Sequence, residues 1–186
     1  MLTLVGIDVG YSNLGLVSVK VDSEFNIEPT FVKRINLRNV RCHCTDVPHT
    51  NEVGDLVAHF IHVYRYLFDE ADIILMERQP PGGLTNVEAV LFYVFRSKII
   101  LISPNSLQKH FGINFYEYER RKVEIEKLAT PYLAPFPTFT NQVRKHDMAD
   151  ALCLILFYIA DDKKKFLLKK NKKVSTNNFQ EFLYQG

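Results

Sequence analysis

Two short runs of apolar residues each end on an acid. Leu2-Thr3-Leu4-Val5-Gly6-Ile7 runs into Asp8, and Ile73-Ile74-Leu75-Met76 runs into Glu77. Runs this short and bounded are strands, and a strand this uniformly apolar has both faces covered. The chain is therefore confined to an α/β architecture in which these strands lie between layers of helix. If they run side by side and parallel, their carboxyl ends coincide, and so do the two acids. Ligands of open α/β sheets collect at that edge.

The rest of the pattern supplies the layers. Leu14 to Val21 alternates apolar with small or polar residues and pairs with the first strand as a hairpin; Phe31 to Leu37 reads as a third strand. A helix over Glu52 to Phe68, capped by Thr50 or Asn51, repeats Val53, Leu56, Val57, Phe60, Ile61, Tyr64, Leu67 and Phe68 at helical spacing. After Glu77 the segment Pro80-Pro81-Gly82-Gly83 breaks the chain, Asn86 opens a helix through Phe95, and Ile99 to Ile102 is another buried strand. Ser103-Pro104 starts a short helix through Phe111, and Tyr118 to Ala129 forms a charged helix. Residues 131–145 carry Pro131, Pro135 and Pro137 without helical period and read as a mobile or substrate-facing loop. A final helix spans His146 to Ile159. The order predicts a mixed sheet with helices on both faces and the first strand at its centre.

Asp147 and Asp150 open that last helix three residues apart, on one face. Packed against the sheet, the helix would bring four carboxylates together. Such a group repels itself until cations neutralise it. Hard divalent ions prefer all-oxygen ligands, and two of them about 3.5–4 Å apart activate a water and stabilise a leaving oxygen in phosphodiester hydrolysis. Asp8 is placed to bridge, Glu77 to hold one ion, and Asp147 with Asp150 the other. A helix N-terminus favours acids even without metal, so the last two have an ordinary use as well.

These segments resemble a known family. Gly6-Ile7-Asp8-Val9-Gly10 with Asn13-Leu14-Gly15, then Ile74-Leu75-Met76-Glu77-Arg78-Gln79, then His146-Asp147-Met148-Ala149-Asp150-Ala151-Leu152 are similar to the motifs of RuvC-type Holliday junction resolvases of the RNase H-like superfamily, the poxvirus branch above all. The resemblance spans roughly residues 2–160. It implies an RNase H-like fold with a five-stranded mixed sheet, and a site of two Mg²⁺ ions, with Mn²⁺ as a substitute, on Asp8, Glu77, Asp147 and Asp150. It further implies a homodimer that nicks four-way DNA junctions symmetrically, and a role in resolving concatemeric replication intermediates. Basic residues near the scissile phosphate are also implied; Lys122 is the preferred candidate, with Lys109, Arg120, Arg121 and Arg78 as DNA contacts. A junction-binding protein without cleavage, or a nuclease of the same fold acting on hybrids or flaps, would share many of these features. The first motif with Ser12-Asn13 also resembles the phosphate turn of sugar kinases and actin, but those proteins need a second lobe to enclose ATP.

Composition bounds the remainder. A length of 186 residues fits one domain over 1–162 with a basic tail over 163–186, the latter rich in lysine from Lys163 to Lys173. A net charge of +2 is too small for binding driven by bulk charge. The N-terminus lacks a signal-peptide pattern and no apolar run reaches the length of a membrane span. Cys42, Cys44 and Cys153 form an odd set, which points to a reducing intracellular setting and, with the family resemblance, to the cytoplasm of an infected cell. Cys42-His43-Cys44 with His49 lacks a second ligand pair of the usual zinc spacing, so these cysteines are read as free thiols. Phe92, Tyr93 and Phe95 make the helix after Asn86 unusually apolar, a candidate dimer face; Phe111, Phe115, Tyr116 and Tyr118 are candidates for base stacking or for the core.

Overall fold

The computed structural model describes residues 1–162 of the chain; the lysine-rich segment beyond them lies outside the described residues. Strands β1 (Leu2–Asp8), β2 (Leu14–Val21), β3 (Ile27–Ile35), β4 (Ile73–Glu77) and β5 (Ile99–Ile102) form one sheet in the order β3-β2-β1-β4-β5. β1 pairs antiparallel with β2 and parallel with β4, and β4 is parallel to β5. The sheet is mixed and β1 is central, as its unbroken apolar run requires.

Helices cover both faces, which completes an RNase H-like α/β fold. On one face α1 (Val53–Val63), α2 (Arg65–Glu70) and α3 (Thr85–Val94) enclose a core containing Val5, Ile7, Ile74, Met76, Phe60 and Phe68. On the other, α4 (Pro104–His110), α5 (Tyr118–Leu133), α6 (Pro137–Thr140) and a last helix, α7, from residue 146 to 162, enclose Leu4, Leu75, Met148, Leu152 and Ile155. The two-residue alternation of a strand divides these cores. Val5 and Ile7 face α1, so Asp8 turns to the α7 side; Ile74 and Met76 face α1, so Glu77 turns the same way.

Several elements differ from expectation, each for a local reason. The predicted helix over Glu52 to Phe68 is two helices broken at Tyr64, whose ring packs against Phe31 and Phe60 while the chain turns to bury Leu67 and Phe68. Thr50 does not cap it directly: Glu52 is the N-cap, and Thr50 accepts from the Glu52 N–H and donates to the Asp55 carboxylate. The third strand begins at Ile27, not Phe31, and ends at Ile35 before a 3-10 turn at Leu37–Asn39. Pro29 concealed its start, but β3 is an edge strand, where a missing N–H costs nothing.

The expectation of a mobile or substrate-facing loop over 131–145 is overturned for 131–140, most of which is helical; residues 141–145 carry no helix or strand, and Arg144 among them lines the cavity that the four acids share. α5 continues through Pro131 to Leu133, and Pro137 starts α6, a proline position that suits a helix's first turn. Phe139 is fully buried, and the Thr138 hydroxyl donates to the Val32 carbonyl of β3 at 2.7 Å. The prolines punctuate two packed helices and do not mark an open loop.

Candidate active site

The site forms where β1 and β4 end beneath the first turn of α7. Ile7 lies opposite Met76 in the parallel register, so Asp8 and Glu77 are the next residues on adjoining strands. Two glycines bring α7 down onto the sheet. A Cβ at Gly6 would fall 2.1 Å from the Ala151 carbonyl oxygen, and a Cβ at Gly15 would fall 1.9 Å from that of Asp147. Gly15 is the cross-strand partner of Asp8. Only residues without a side chain permit this approach, and it sets Asp147 and Asp150 above Asp8.

An open cavity of about 530 Å³ results, and all four acids line it. Their charges act on one another as proximity demands. Burial first, then the charges of Asp150, Glu77 and Asp147, hold the Asp8 carboxyl well above its usual range. Burial first, then Glu77 and Asp147, push Asp150 up to about 8. Burial also raises Glu77. Burial and mutual repulsion therefore both oppose full ionisation of the four acids unless bound cations offset them.

Arg144 grips Asp147 with its Nε 2.8 Å from Oδ2 and 3.1 Å from Oδ1, and its Nη2 3.1 Å from Oδ1. Asp147 is almost wholly buried, whereas the Arg144 side chain is 42% exposed. Sequence reasoning missed Arg144; its spacing three residues before Asp147 was the available signal. His146 belongs to the third motif but reads as an incidental helix-start histidine; it also lines the cavity. Its Nε2 is buried without a hydrogen-bond partner, 3.5 Å from Asp147 Oδ1, and burial lowers the imidazole below its ordinary range.

The basic candidates separate into two groups. Lys122 and Arg121 line the cavity with Tyr118. Lys122 Nζ lies 4.0 Å from the Tyr118 ring centroid and 4.0 Å from Glu119 Oε1, and its charge partly offsets the rise at Asp150. Arg121 donates to the Tyr116 carbonyl at 3.1 Å. Arg120 is exposed, stacked 4.0 Å over Tyr116. Lys109 and Arg78 are exposed and do not line the cavity, although Gln108 and Pro80 beside them do. Of the aromatic set, Phe111 and Tyr116 pack against the core while Phe115 and Tyr118 are exposed. Phe95 is buried against Phe68, leaving Phe92, Tyr93 and Val94 as the large apolar exposed residues of α3.

The donor set fits hard divalent cations. Every acid supplies oxygen ligands, three carry raised pKa values that a cation would relieve, and the cavity opens to solvent. A separate cluster of Cys42, Cys44, His49 and His59 can also hold a metal ion and shares no residue with this cavity.

No protein-family model and no curated protein matches the sequence. Solved structures do match its fold. The yeast mitochondrial Holliday junction resolvase Ydc2 superposes with a TM-score of 0.62 at 16% identity, covering 84% of this chain and 78% of that one. The fowlpox virus Holliday junction resolvase gives 0.60 at 15% identity over 86% and 99%. RuvC of T. thermophilus, in complex with a Holliday junction substrate, gives 0.53 at 17% over 84% and 92%. The chain thus shares the RNase H-like fold of these resolvases. Among the described residues no helix is long and apolar enough to cross a membrane.

Proposed function

We propose that the protein is a structure-selective endodeoxyribonuclease that resolves four-way DNA junctions by Mg²⁺-dependent phosphodiester hydrolysis. One observation carries this reading: Asp8, Glu77, Asp147 and Asp150, from three separate elements, line one solvent-open cavity in which burial and mutual repulsion raise Asp8 and Asp150. A kinase-like nucleotide site would not need acids at all of these positions. The solved proteins of this fold named above as junction resolvases point to the substrate class.

In this reading Asp8, Glu77 and Asp150 hold the divalent ions, and Asp147 joins them by exchanging or sharing its hold on Arg144. Two bound Mg²⁺ ions would polarise the scissile phosphate and acidify a water. The chain's own residues do the rest. Lys122, on the α5 wall beside Asp150, meets the phosphate charge that develops as the bond breaks. Arg121 and the exposed Arg120, Lys109 and Arg78 contact the DNA backbone and set its path. Tyr118 lines the cavity and Phe115 is exposed nearby in the sequence, and unpaired bases at a junction centre would stack on such rings. Paired nicks require two such sites, so the protein acts as a homodimer, with the exposed Phe92 and Tyr93 of α3 as the proposed interface. Its biological task is the resolution of concatemeric viral replication intermediates in the cytoplasm of an infected host cell.

The test is the product pattern from end-labelled four-way junctions incubated with Mg²⁺. Symmetric paired nicks, absent on linear duplex and in chelator, are expected. A junction bound and left whole would make the protein a binding module. Preferential cutting of RNA–DNA hybrids or flaps would place it elsewhere among nucleases of this fold.

A further inference from the structure

His59 poses a problem for an ordinary packing account. It sits on the buried face of α1 between Ala58 and Phe60, and it is 4% exposed. Its Nε2 lies 3.1 Å from the Pro48 carbonyl oxygen, an acceptor, so Nε2 carries the proton and the Nδ1 lone pair is free. Nδ1 in turn lies 2.8 Å from Cys42 Sγ and 3.2 Å from Cys44 Sγ. One lone pair cannot accept from two thiols. The sulfurs are 2.7 Å apart, far beyond the roughly 2.05 Å of a disulfide and too close for two unreacted thiols at ease. The His49 ring stacks on His59 at 4.3 Å between centroids, and its Nε2 lies 2.9 Å from the Cys44 carbonyl oxygen.

We propose that Cys42, Cys44, His49 and His59 form a tetrahedral site for one Zn²⁺ ion that fastens the 40–52 segment to α1. The ligand atoms of all four residues lie within 4.8 Å of one another. Zinc–sulfur bonds of about 2.3 Å and zinc–nitrogen bonds of about 2.0–2.1 Å place tetrahedral neighbours about 3.3–3.8 Å apart, within that limit. The ion would thus spread Cys42 Sγ from Cys44 Sγ and from His59 Nδ1, now 2.7 Å and 2.8 Å away, by about 1 Å. Two thiolates and two neutral imidazoles suit zinc, while Mg²⁺ and Mn²⁺ prefer the oxygen ligands of the other cavity. Charge also balances. Each cysteine releases its thiol proton to solvent, and the two thiolates neutralise the ion, so the buried Cys44 and His59 enclose no net charge. The Pro48 carbonyl supplies the outer hydrogen bond that metal-bound histidines ordinarily make through their second nitrogen.

Such a clamp also answers a structural need. Residues 40–52 join the 3-10 turn to α1 with no helix or strand of their own, a length uncommon for a connection inside a compact domain. Cys42, Cys44 and His49 lie in this segment and His59 on the helix beyond it, so one ion closes the loop against the sheet's α1 face.

The test is metal content and ligand-field spectroscopy of the full chain purified under reducing conditions without chelator. One zinc per chain is expected. Replacement by Co²⁺ should give the intense visible bands of a tetrahedral site and a thiolate-to-metal band in the near ultraviolet. Cys42→Ser and His49→Ala, at positions exposed enough to leave the fold intact, should lose the zinc and alter both bands. His43→Ala, outside the cluster, should keep them. Asp8→Asn should keep the zinc too, which separates this site from the carboxylate cavity. Absence of zinc and of the cobalt bands in the unmodified chain, retention of zinc by Cys42→Ser and His49→Ala, loss of zinc in Asp8→Asn, or a Cys42–Cys44 disulfide in the metal-free reduced preparation would each overturn the proposal.

Discussion

Gly6 of β1 and Ala151 of α7 touch backbone to backbone, so that a Cβ on the glycine would fall 2.1 Å from the alanine's carbonyl oxygen. This contact decides how close Asp150 comes to Asp8, because α7 can descend on the sheet no further than its nearest neighbour allows.

Gly6→Ala should therefore destabilise the fold by about 2–3 kcal/mol or more, since neither backbone can yield cheaply. Gly54→Ala is the control: nothing lies within 4 Å of its added Cβ, and it sits near the start of α1, so it should be neutral or stabilise by about 0.4–1 kcal/mol. Chemical denaturation of both variants checks the pair. Equal stabilities would show that α7 does not rest on Gly6.

Asp147 depends on Arg144. Removing the guanidinium in Arg144→Ala leaves a nearly buried carboxylate without its fork of hydrogen bonds. Because the arginine is substantially exposed and water can replace part of its contribution, the loss should be about 1–2 kcal/mol in the metal-free protein. Added Mg²⁺ should restore more stability to this variant than to the parent chain. Thermal unfolding with and without Mg²⁺ measures the difference, and equal Mg²⁺ responses would contradict the arrangement.

The acids also make a prediction about pH. Asp8, Glu77 and Asp150 all have raised pKa values in the fold. The folded chain thus binds their protons more tightly than the unfolded chain does, and ionising them costs stability. In chelator, the acids' contribution should weaken as pH climbs from the ordinary carboxylate range towards about 8, where Asp150 titrates. Mg²⁺ should flatten the decline. Asp150→Asn should raise metal-free stability at the alkaline end by about 1 kcal/mol, as expected where a site sacrifices stability for function. Unfolding midpoints across this window provide the check, and a metal-free stability that rises over it would refute the account.

Lys122 separates chemistry from attachment. Lys122→Ala should slow junction cleavage by about a hundredfold while weakening junction binding far less, because it faces Asp150 inside the cavity. Single-turnover cleavage and binding titrations under the same salt give both numbers. A loss confined to binding would reduce Lys122 to a backbone contact.

The convergence of the four acids was legible because strand ends and helix starts leave marks in a sequence. Apolar runs closing on Asp8 and Glu77, and the i, i+3 pair opening α7, are local patterns with one geometric reading. The glycines that bring α7 close were visible as residues but not as contacts, since their partners Asp147 and Ala151 lie far along the chain. Arg144 and His59 were hidden for the same reason in different guises. Arg144 lay in a stretch whose prolines suggested a loop, and His59 lay outside the apolar positions of its helix, beside Phe60. The break at Tyr64 and the early start of β3 depend on tertiary packing and on an edge position, neither of which periodicity encodes.

The central claim is that the four acids form the hydrolytic metal site of a junction resolvase, and cleavage against binding in Asp8→Asn and Asp150→Asn tests it most directly. With labelled four-way junction and Mg²⁺, both variants should lose cleavage by about a thousandfold or more while binding the junction nearly as the parent chain does. Cleavage at the parent rate by either variant would contradict it.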